Sequence, residues 1–287
     1  NAGDFKGNLI ILVNDNQMSI AENHGGLYRN LAELRATNGQ AENNFFKTFG
    51  LDYKYLENGN DIESLIHLFE EVKDIDHPIV LHIHTEKGRG YQPALENKEA
   101  FHWHMPFDLE TGQSKVIDSG KSYRSVMLDY MDKKVSEGLP LVAINAAIPG
   151  IFGLKQFAAK YPDRYIDAGI AEQFTITFGG AMAAAGARPI IFHNSTFVQR
   201  AYDQFWHDLA INEEPAIVIV KGGVISGSDE THQGSSAMTW ISNIPNIKYL
   251  APTSEEEFIS ILDWALEQHE EPVLIQMPEL GLESRPT

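Results

Sequence analysis

The stretch DAGIAEQFTITFGGAMAAAGARPIIFHNSTFVQRAYDQFWH, residues 167–207, decides the fold of this chain. It predicts a helix of small apolar residues, a buried strand over 188–194, a polar turn that ends at Phe197, and a second helix. A short apolar strand between two helices is typical of a parallel sheet with helices on its faces. Because ligands bind where such strands end, we expect the chemistry of the protein to lie here.

The same alternation of helices and apolar strands extends over residues 123–287. The polar segment 108–122 predicts a linker, and residues 1–107 contain a further helix-to-strand step. We therefore predict an α/β protein of two domains with doubly wound parallel sheets, the first domain being partial.

Composition limits the possible functions. With 22 Lys and Arg against 40 Asp and Glu, the chain has a formal net charge of −18. This charge repels nucleic-acid backbones and anionic membranes, so we predict neither as a partner. The sequence has no cysteine, which excludes disulfides, thiolate metal sites and cysteine nucleophiles. Because no apolar run reaches the roughly 18 residues that span a bilayer, we expect a cytoplasmic protein.

The predicted strand at 9–13 ends in NDNQMS. There Asn14, Asp15 and Asn16 offer the oxygen ligands that Mg²⁺ or Ca²⁺ prefers. The alternative is an ordinary Asx-rich turn.

Two further motifs follow in the first domain. The glycines of KGRG, residues 87–90, free the backbone for close approach to a ligand, or form a simple basic turn. His102 and His104 alternate in a segment predicted to be extended, which would place both imidazoles on one side as a metal pair or a proton-transfer group.

In the second domain Glu172 stands at the start of the predicted helix, where the helix dipole stabilises a carboxylate directed outward. A simple capping charge is the alternative. The glycine-rich loop 221–236 is long enough to cover a site and to deliver His232, a side chain suited to proton transfer. A plain surface loop remains the alternative for this segment.

Several motifs occur together, and in the same order, in one enzyme family. YPDRYIDAGIAEQ (161–173), STFVQRAYDQ (195–204) and THQG (231–234) resemble the pyrimidine-binding domain of the 1-deoxy-D-xylulose 5-phosphate synthases. These are thiamine diphosphate enzymes of the transketolase superfamily. NDNQMSI (14–20) and KGRGYQPA (87–94) resemble the second half of that family's diphosphate-binding domain. The resemblance thus covers nearly the whole chain.

The resemblance implies how a cofactor is held. Residues 1–107 would be the C-terminal part of a diphosphate-binding domain, and residues 123–287 a pyrimidine-binding domain. Glu172 matches the glutamate that hydrogen-bonds the aminopyrimidine, and Phe197 matches the aromatic residue that stacks on it. Asn16 and Met18 match ligands of Mg²⁺, through a side chain and a backbone carbonyl respectively. Tyr91 matches a tyrosine that contacts the cofactor.

The resemblance also implies groups that act on substrates. His102 and His232 match histidines that handle protons during catalysis. The residues that match or replace substrate-binding positions are Arg200, Lys221, Ser228 and Asp229.

The departures from the family concern the acceptor. Lys221 and Gln276 stand where the family has arginines that help to hold the acceptor's phosphate, and Asn194 stands where it has a tyrosine. Lysine replaces a bidentate arginine only in part, and glutamine carries no charge. These changes are the reason to consider an alternative to the family's acceptor, glyceraldehyde 3-phosphate.

The function implied is a thiamine diphosphate and Mg²⁺ dependent transferase. It would condense a two-carbon unit from pyruvate with an aldehyde, as a homodimer in isoprenoid biosynthesis. The alternatives are a transketolase-type enzyme with a different donor or acceptor, and a catalytically degenerate partner subunit. The family's GDG metal motif would precede Asn1 and its C-terminal domain would follow Thr287, so we expect this chain to be part of a longer protein.

Overall fold

The structure is a computed structural model that describes residues 2–115, 120–223, 232–279 and 281–286. The chain divides into two units, Asn1–Ile117 (unit 1) and Asp118–Thr287 (unit 2). The division falls within the predicted linker 108–122. Residues 108–115 form a hydrogen-bonded turn of unit 1, in which the Lys115 N–H donates to the Pro106 carbonyl at 2.8 Å.

Unit 1 is built on a three-stranded parallel sheet in the order β1-β3-β2. Its strands and helices, after a 3₁₀ turn at Ala2–Asp4, are β1 (Leu9–Asp15), α1 (Gly26–Ala36), α2 (Phe45–Thr48), β2 (Asp52–Leu56), α3 (Ile62–Val72), β3 (Pro78–His84) and α4 (Gln92–Glu96).

Both faces of this sheet are covered by helices. Leu68 and Val72 of α3 pack on Leu81 and Ile83 of β3. On the other face, Val80 packs against residues of α1 and α2. Since β3 is buried on both faces, its sequence is apolar almost throughout instead of alternating.

Unit 2 is built on a six-stranded parallel sheet in the order β5-β4-β6-β7-β9-β8. Its elements are α5 (Tyr123–Ser136), β4 (Leu141–Asn145), α6 (Pro149–Phe152), α7 (Leu154–Lys160), β5 (Tyr165–Asp167), α8 (Glu172–Ala184), β6 (Arg188–Asn194), α9 (Ser195–Val198), α10 (Tyr202–Gln204), a π-helix (Phe205–Ala210), β7 (Ile217–Lys221), α11 (Ala237–Ile241), β8 (Lys248–Leu250), α12 (Glu255–Glu267) and β9 (Val273–Met277), with 3₁₀ turns at Pro162–Arg164 and Gln199–Ala201.

The four central strands of this sheet are buried, whereas the edge strands β5 and β8 have three residues each. Ile176 of α8 and Leu209 of the π-helix pack with Ile191 of β6 in one core. Phe192 is the next residue on the strand and points to the opposite face, where its ring lies 5.1 Å from that of Phe152. The predicted doubly wound parallel sheets are confirmed.

The second predicted helix, which follows Phe197, is wrong in detail. The chain there passes through α9, a 3₁₀ turn, α10 and the π-helix. The π-helix packs closely on α8 at Gly180. A Cβ added at this glycine would lie only 2.9 Å from the Asp208 carbonyl oxygen. Single-turn π segments interrupt α-helices frequently at functional sites, and apolar periodicity does not reveal them.

Among the residues that the structure describes, no helix combines the length and the apolar character needed to cross a membrane.

Candidate active site

In unit 1 a cleft of about 380 Å³ lies where the three parallel strands end. The residues on its wall include Asn16, Gln17, His84, Thr85, Arg89 and Lys98. Asn16 and Gln17 follow β1, and Thr85 follows β3. The carboxyl ends of parallel strands are where ligands bind in α/β sheets, so this cleft is the candidate site of unit 1.

The predicted metal ligands lie on a tight turn. The Asn16 Oδ1 accepts a hydrogen bond from the Met18 N–H at 3.1 Å, and the Asp15 Oδ1 accepts one from the Gln17 N–H at 3.0 Å. Both interpretations of NDNQMS are thus compatible with the structure, because a carbonyl oxygen in an Asx turn keeps a second lone pair for a cation. Within the described residues no group of three or more His, Asp or Glu side chains is arranged to hold a metal ion. Asn16 and Met18 would therefore form only part of a ligand set.

Asp15 itself is buried, with 5% of its surface exposed. Burial alone would raise the pKa of its carboxyl. Hydrogen bonds from His82, the Gln17 N–H and Arg35 outweigh that effect and lower the pKa to about 2. Sequence reasoning missed these partners, since they come from distant parts of the chain.

Lys87 of the KGRG turn joins two of the predicted sites. Its Nζ donates to the Ser19 carbonyl next to Met18 and lies 3.1 Å from the His102 Nδ1. Burial lowers the pKa of His102, and the positive charge of Lys87 lowers it further. The imidazole is therefore neutral at pH 7 and accepts the hydrogen bond from the ammonium group.

The predicted pairing of His102 with His104 is wrong. His102 lies in a turn, where its N–H donates to the Glu99 carbonyl at 3.1 Å, so the segment is not extended. The His104 ring instead packs between Phe101 and Phe107 and its Nδ1 lies 2.7 Å from the Met105 carbonyl.

Tyr91, predicted to contact a cofactor, belongs to the same aromatic cluster. Its ring lies 5.5 Å from that of Phe101, and its hydroxyl donates to the Leu109 carbonyl at 3.0 Å.

In unit 2 Glu172 is the first residue of α8 and is only 3% exposed. Its Oε2 forms an ion pair with the Arg200 Nη1 at 2.7 Å. The expectation of an outward-directed carboxylate is wrong, because the side chain turns inward to Arg200. Arg200, predicted to bind substrate, therefore contacts the candidate catalytic carboxylate directly.

Phe197 precedes Arg200 by one helical turn. The predicted polar turn at 194–197 is instead the start of α9, which the Asn194 side chain caps by accepting from the Thr196 N–H at 2.9 Å. The Phe197 ring meets the His232 ring edge-on, with 5.3 Å between centroids. The structure thus brings Glu172, Arg200, Phe197 and His232 together at one edge of the sheet of unit 2.

A buried pair behind Glu172 was missed by sequence reasoning. The Thr175 hydroxyl donates to the Glu172 carbonyl at 2.7 Å and lies 2.8 Å from the His193 Nε2. A hydroxyl has one proton to donate, so the His193 Nε2–H donates to the Thr175 oxygen. The His193 Nδ1 is buried and has no hydrogen-bond partner among the residues that the structure describes. Burial lowers the pKa of this histidine to about 3.

Lys221 ends β7 beside the end of β6, where its register partner is Asn194. Burial lowers the pKa of its ammonium group, and the Glu279 carboxylate partly offsets that shift.

Both polar groups of the Gln276 side-chain amide form hydrogen bonds within the fold. Its Nε2 donates to the Gly222 carbonyl and its Oε1 accepts from the Tyr249 hydroxyl at 3.0 Å. Ser228 and Asp229, the other predicted substrate-binding residues, lie outside the described residues.

Comparison with known protein families identifies both parts of the chain. Residues 119–283 match the model of the transketolase pyrimidine-binding domain, which is more than half of the chain. The chain belongs to this family. Residues 1–44 and 35–85 match the model named 1-deoxy-D-xylulose-5-phosphate synthase. The resemblance inferred from the motifs is thereby confirmed.

The similar proteins include three bacterial 1-deoxy-D-xylulose-5-phosphate synthases. Those of Geobacter sulfurreducens, Geobacter metallireducens and Clostridium tetani are 34%, 36% and 35% identical over 96%, 97% and 96% of this chain. The aligned regions cover 49%, 50% and 50% of those proteins. The chain therefore spans about half the length of the curated relatives it matches.

Two crystal structures of Pichia stipitis transketolase variants share the fold. They have TM-scores of 0.50 and 0.51 at 16% and 15% identity. The match covers 98% of this chain and 53% of each of those chains.

The buried His193 makes the stability of unit 2 depend on pH. Its pKa is about 3 in the folded state against 6.5 ordinarily, so below pH 6.5 the unfolded chain binds a proton that the folded chain does not. Stability is full above that pH and falls as the pH drops toward 3. We expect His193→Gln to remove this loss of stability. The difference in unfolding free energy between the variant and the wild type should therefore change by about 1.4 kcal/mol for each pH unit below pH 6. Urea unfolding between pH 7 and 4 measures it.

Thr175→Val is the matched control. It removes the hydroxyl but leaves the imidazole buried, so the pH dependence should persist. An equally steep pH dependence in His193→Gln contradicts the assignment.

Proposed function

We propose that this chain forms part of a thiamine diphosphate and Mg²⁺ dependent transferase that condenses a pyruvate-derived two-carbon unit with an aldehyde. The observation that carries the proposal is the buried Glu172 at the start of α8, paired with Arg200 and close to the Phe197–His232 pair. When bound, thiamine diphosphate supplies the carbanion chemistry, while the protein orients it and places protons. The product would serve isoprenoid biosynthesis.

Unit 2 would hold the aminopyrimidine. The buried side chain of Glu172 can hydrogen-bond a ring nitrogen without competition from water. The half-buried Phe197 offers a ring face for stacking. Arg200 fixes the position of the Glu172 carboxylate through their ion pair.

Unit 1 would hold the diphosphate and Mg²⁺. The Asn16 side chain and the Met18 carbonyl are oxygen donors of the kind that Mg²⁺ binds. Arg89 and Lys98 offer positive charge for phosphate oxygens, on a wall that also carries three acidic side chains. Tyr91 would contribute through its ring, since its hydroxyl is bonded to Leu109.

The substrate roles are proposed on the same basis. His102 is a neutral imidazole near neutral pH, able to accept a proton, and His232 lies against Phe197. Lys221 and Arg200 are the cations for the carboxylate of pyruvate or for an anionic acceptor. The roles of Ser228 and Asp229, and the cytoplasmic location, stay predictions.

A homodimer is part of the proposal. Ile170 and Phe174 at the start of α8 are each 51% exposed, and Phe174 stacks on Phe178 with 5.3 Å between centroids. An exposed apolar face of this kind is typical of a protein interface. Sedimentation velocity of the full-length protein should give twice the mass of one chain, and a single-chain mass at micromolar concentration contradicts the dimer.

A different acceptor is the second candidate function. Gln276 is only 7% exposed, and both polar ends of its amide are used within the fold, so it offers nothing to a phosphate. Lys221 alone replaces one arginine only in part.

A turnover assay separates the two candidates. The full-length protein is supplied with thiamine diphosphate, Mg²⁺, pyruvate and either glyceraldehyde 3-phosphate or unphosphorylated glyceraldehyde. We expect pyruvate-dependent condensation with at least one aldehyde. A kcat/KM about 10-fold higher for the phosphorylated aldehyde favours the main proposal, since charge-assisted hydrogen bonds contribute about that much. The reverse preference favours the second candidate, and no turnover with either contradicts both.

A further inference from the structure

The carboxylate of Asp15 joins four separate parts of unit 1. Its Oδ2 accepts from the His82 Nε2 on β3 at 2.8 Å and from Arg35 on α1. Its Oδ1 accepts from the backbone N–H of Gln17 at 3.0 Å. Asp15 ends β1, so the side chain that closes the strand also fixes the first residues of the loop.

His82 continues this connection to β2. It is fully buried, and its Nδ1 lies 2.7 Å from the Tyr53 hydroxyl. An ionised carboxylate only accepts hydrogen bonds. The His82 Nε2 therefore carries a hydrogen and donates it in the bond to Asp15. The Tyr53 hydroxyl can then donate to the His82 Nδ1. The hydrogen bonds therefore run in one direction, from Tyr53 through His82 to Asp15.

The residue at the end of this series is strained. Gln17 has φ of +69°, in the left-handed region that residues with a side chain rarely adopt. Such conformations persist only where the surroundings hold them, and they cluster at functional sites. Here the Asp15 Oδ1 holds the Gln17 N–H, and Gln17 lies between Asn16 and Met18.

We propose that Tyr53, His82 and Asp15 are positioning residues that hold Asn16 and Met18 in the arrangement that binds a divalent cation. This inference rests on the proposed role of Asn16 and Met18 toward Mg²⁺. The side-chain hydrogen bonds of Tyr53 and His82 lead to each other and to Asp15, so these residues act through Asp15 and the Gln17 backbone. Outer residues of this kind orient ligands, and their loss typically weakens metal binding by about 10- to 100-fold.

The chain offers a matched pair of variants for the test. Tyr53→Phe removes only the hydroxyl that donates to His82. Tyr55→Phe removes a hydroxyl two residues along β2 that donates to Glu57 instead, although the Tyr55 ring also packs against His82. Mg²⁺ is titrated calorimetrically into the full-length protein with saturating thiamine diphosphate. We expect Tyr53→Phe to weaken Mg²⁺ binding about 10-fold and Tyr55→Phe to leave it within about 2-fold of wild type.

A second measurement separates positioning from general stability. Amide hydrogen exchange in the protein without cofactor or metal should be faster at Gln17 in Tyr53→Phe, with the amides of α3 unchanged. Uniformly faster exchange throughout unit 1 overturns the positioning role in favour of a structural one.

The outcomes also distinguish this inference from the proposed function. Absence of Mg²⁺ binding in the wild-type protein overturns the proposed function, and this inference with it. Normal binding in wild type with unchanged affinity in Tyr53→Phe overturns this inference alone.

Discussion

The ion pair between Glu172 and Arg200 is the interaction on which the candidate site of unit 2 depends. A buried carboxylate is stable only when charged or hydrogen-bonding groups replace the water it has lost. Arg200 can supply that charge because the chain turns directly from β6 into α9, which also directs Phe197 to the same sheet edge. Behind it, Thr175 and His193 fix the first turn of α8. Asp15 is the corresponding buried carboxylate of unit 1, where hydrogen bonds from Arg35 and His82 compensate for its burial.

The fold could be predicted from the sequence because its signals are local. Apolar runs of strand length alternate with helical segments, and this pattern correctly predicts parallel sheets. The interruption of the helix after β6 was not predictable, since it lies where the π-helix packs closely on the distant Gly180. The prediction of an extended segment around His102 was wrong, because the chain there forms backbone hydrogen bonds of a turn.

The candidate site was predictable only in part. Glu172, Phe197, Asn16 and His232 could be named as candidates because they lie in recognisable motifs. Their partners were not found, since His82 is separated from Asp15 by 67 positions and His193 from Thr175 by 18. Such pairs form only when the sheet assembles. The substitution of Gln276 was visible in the sequence, but its use as an internal bond to Gly222 and Tyr249 was not.

In the proposed function, Glu172 directs the chemistry of a bound thiamine ring. The most direct test is the rate of hydrogen–deuterium exchange at C2 of thiamine diphosphate bound to the full-length protein, followed by NMR. Glu172→Gln should slow this exchange by at least about 100-fold, the lower range for a positioned proton-transfer group. The control Glu255→Gln alters a glutamate at the start of α12 that pairs with Lys121, and should leave the rate unchanged. Exchange at the wild-type rate in Glu172→Gln would contradict the account.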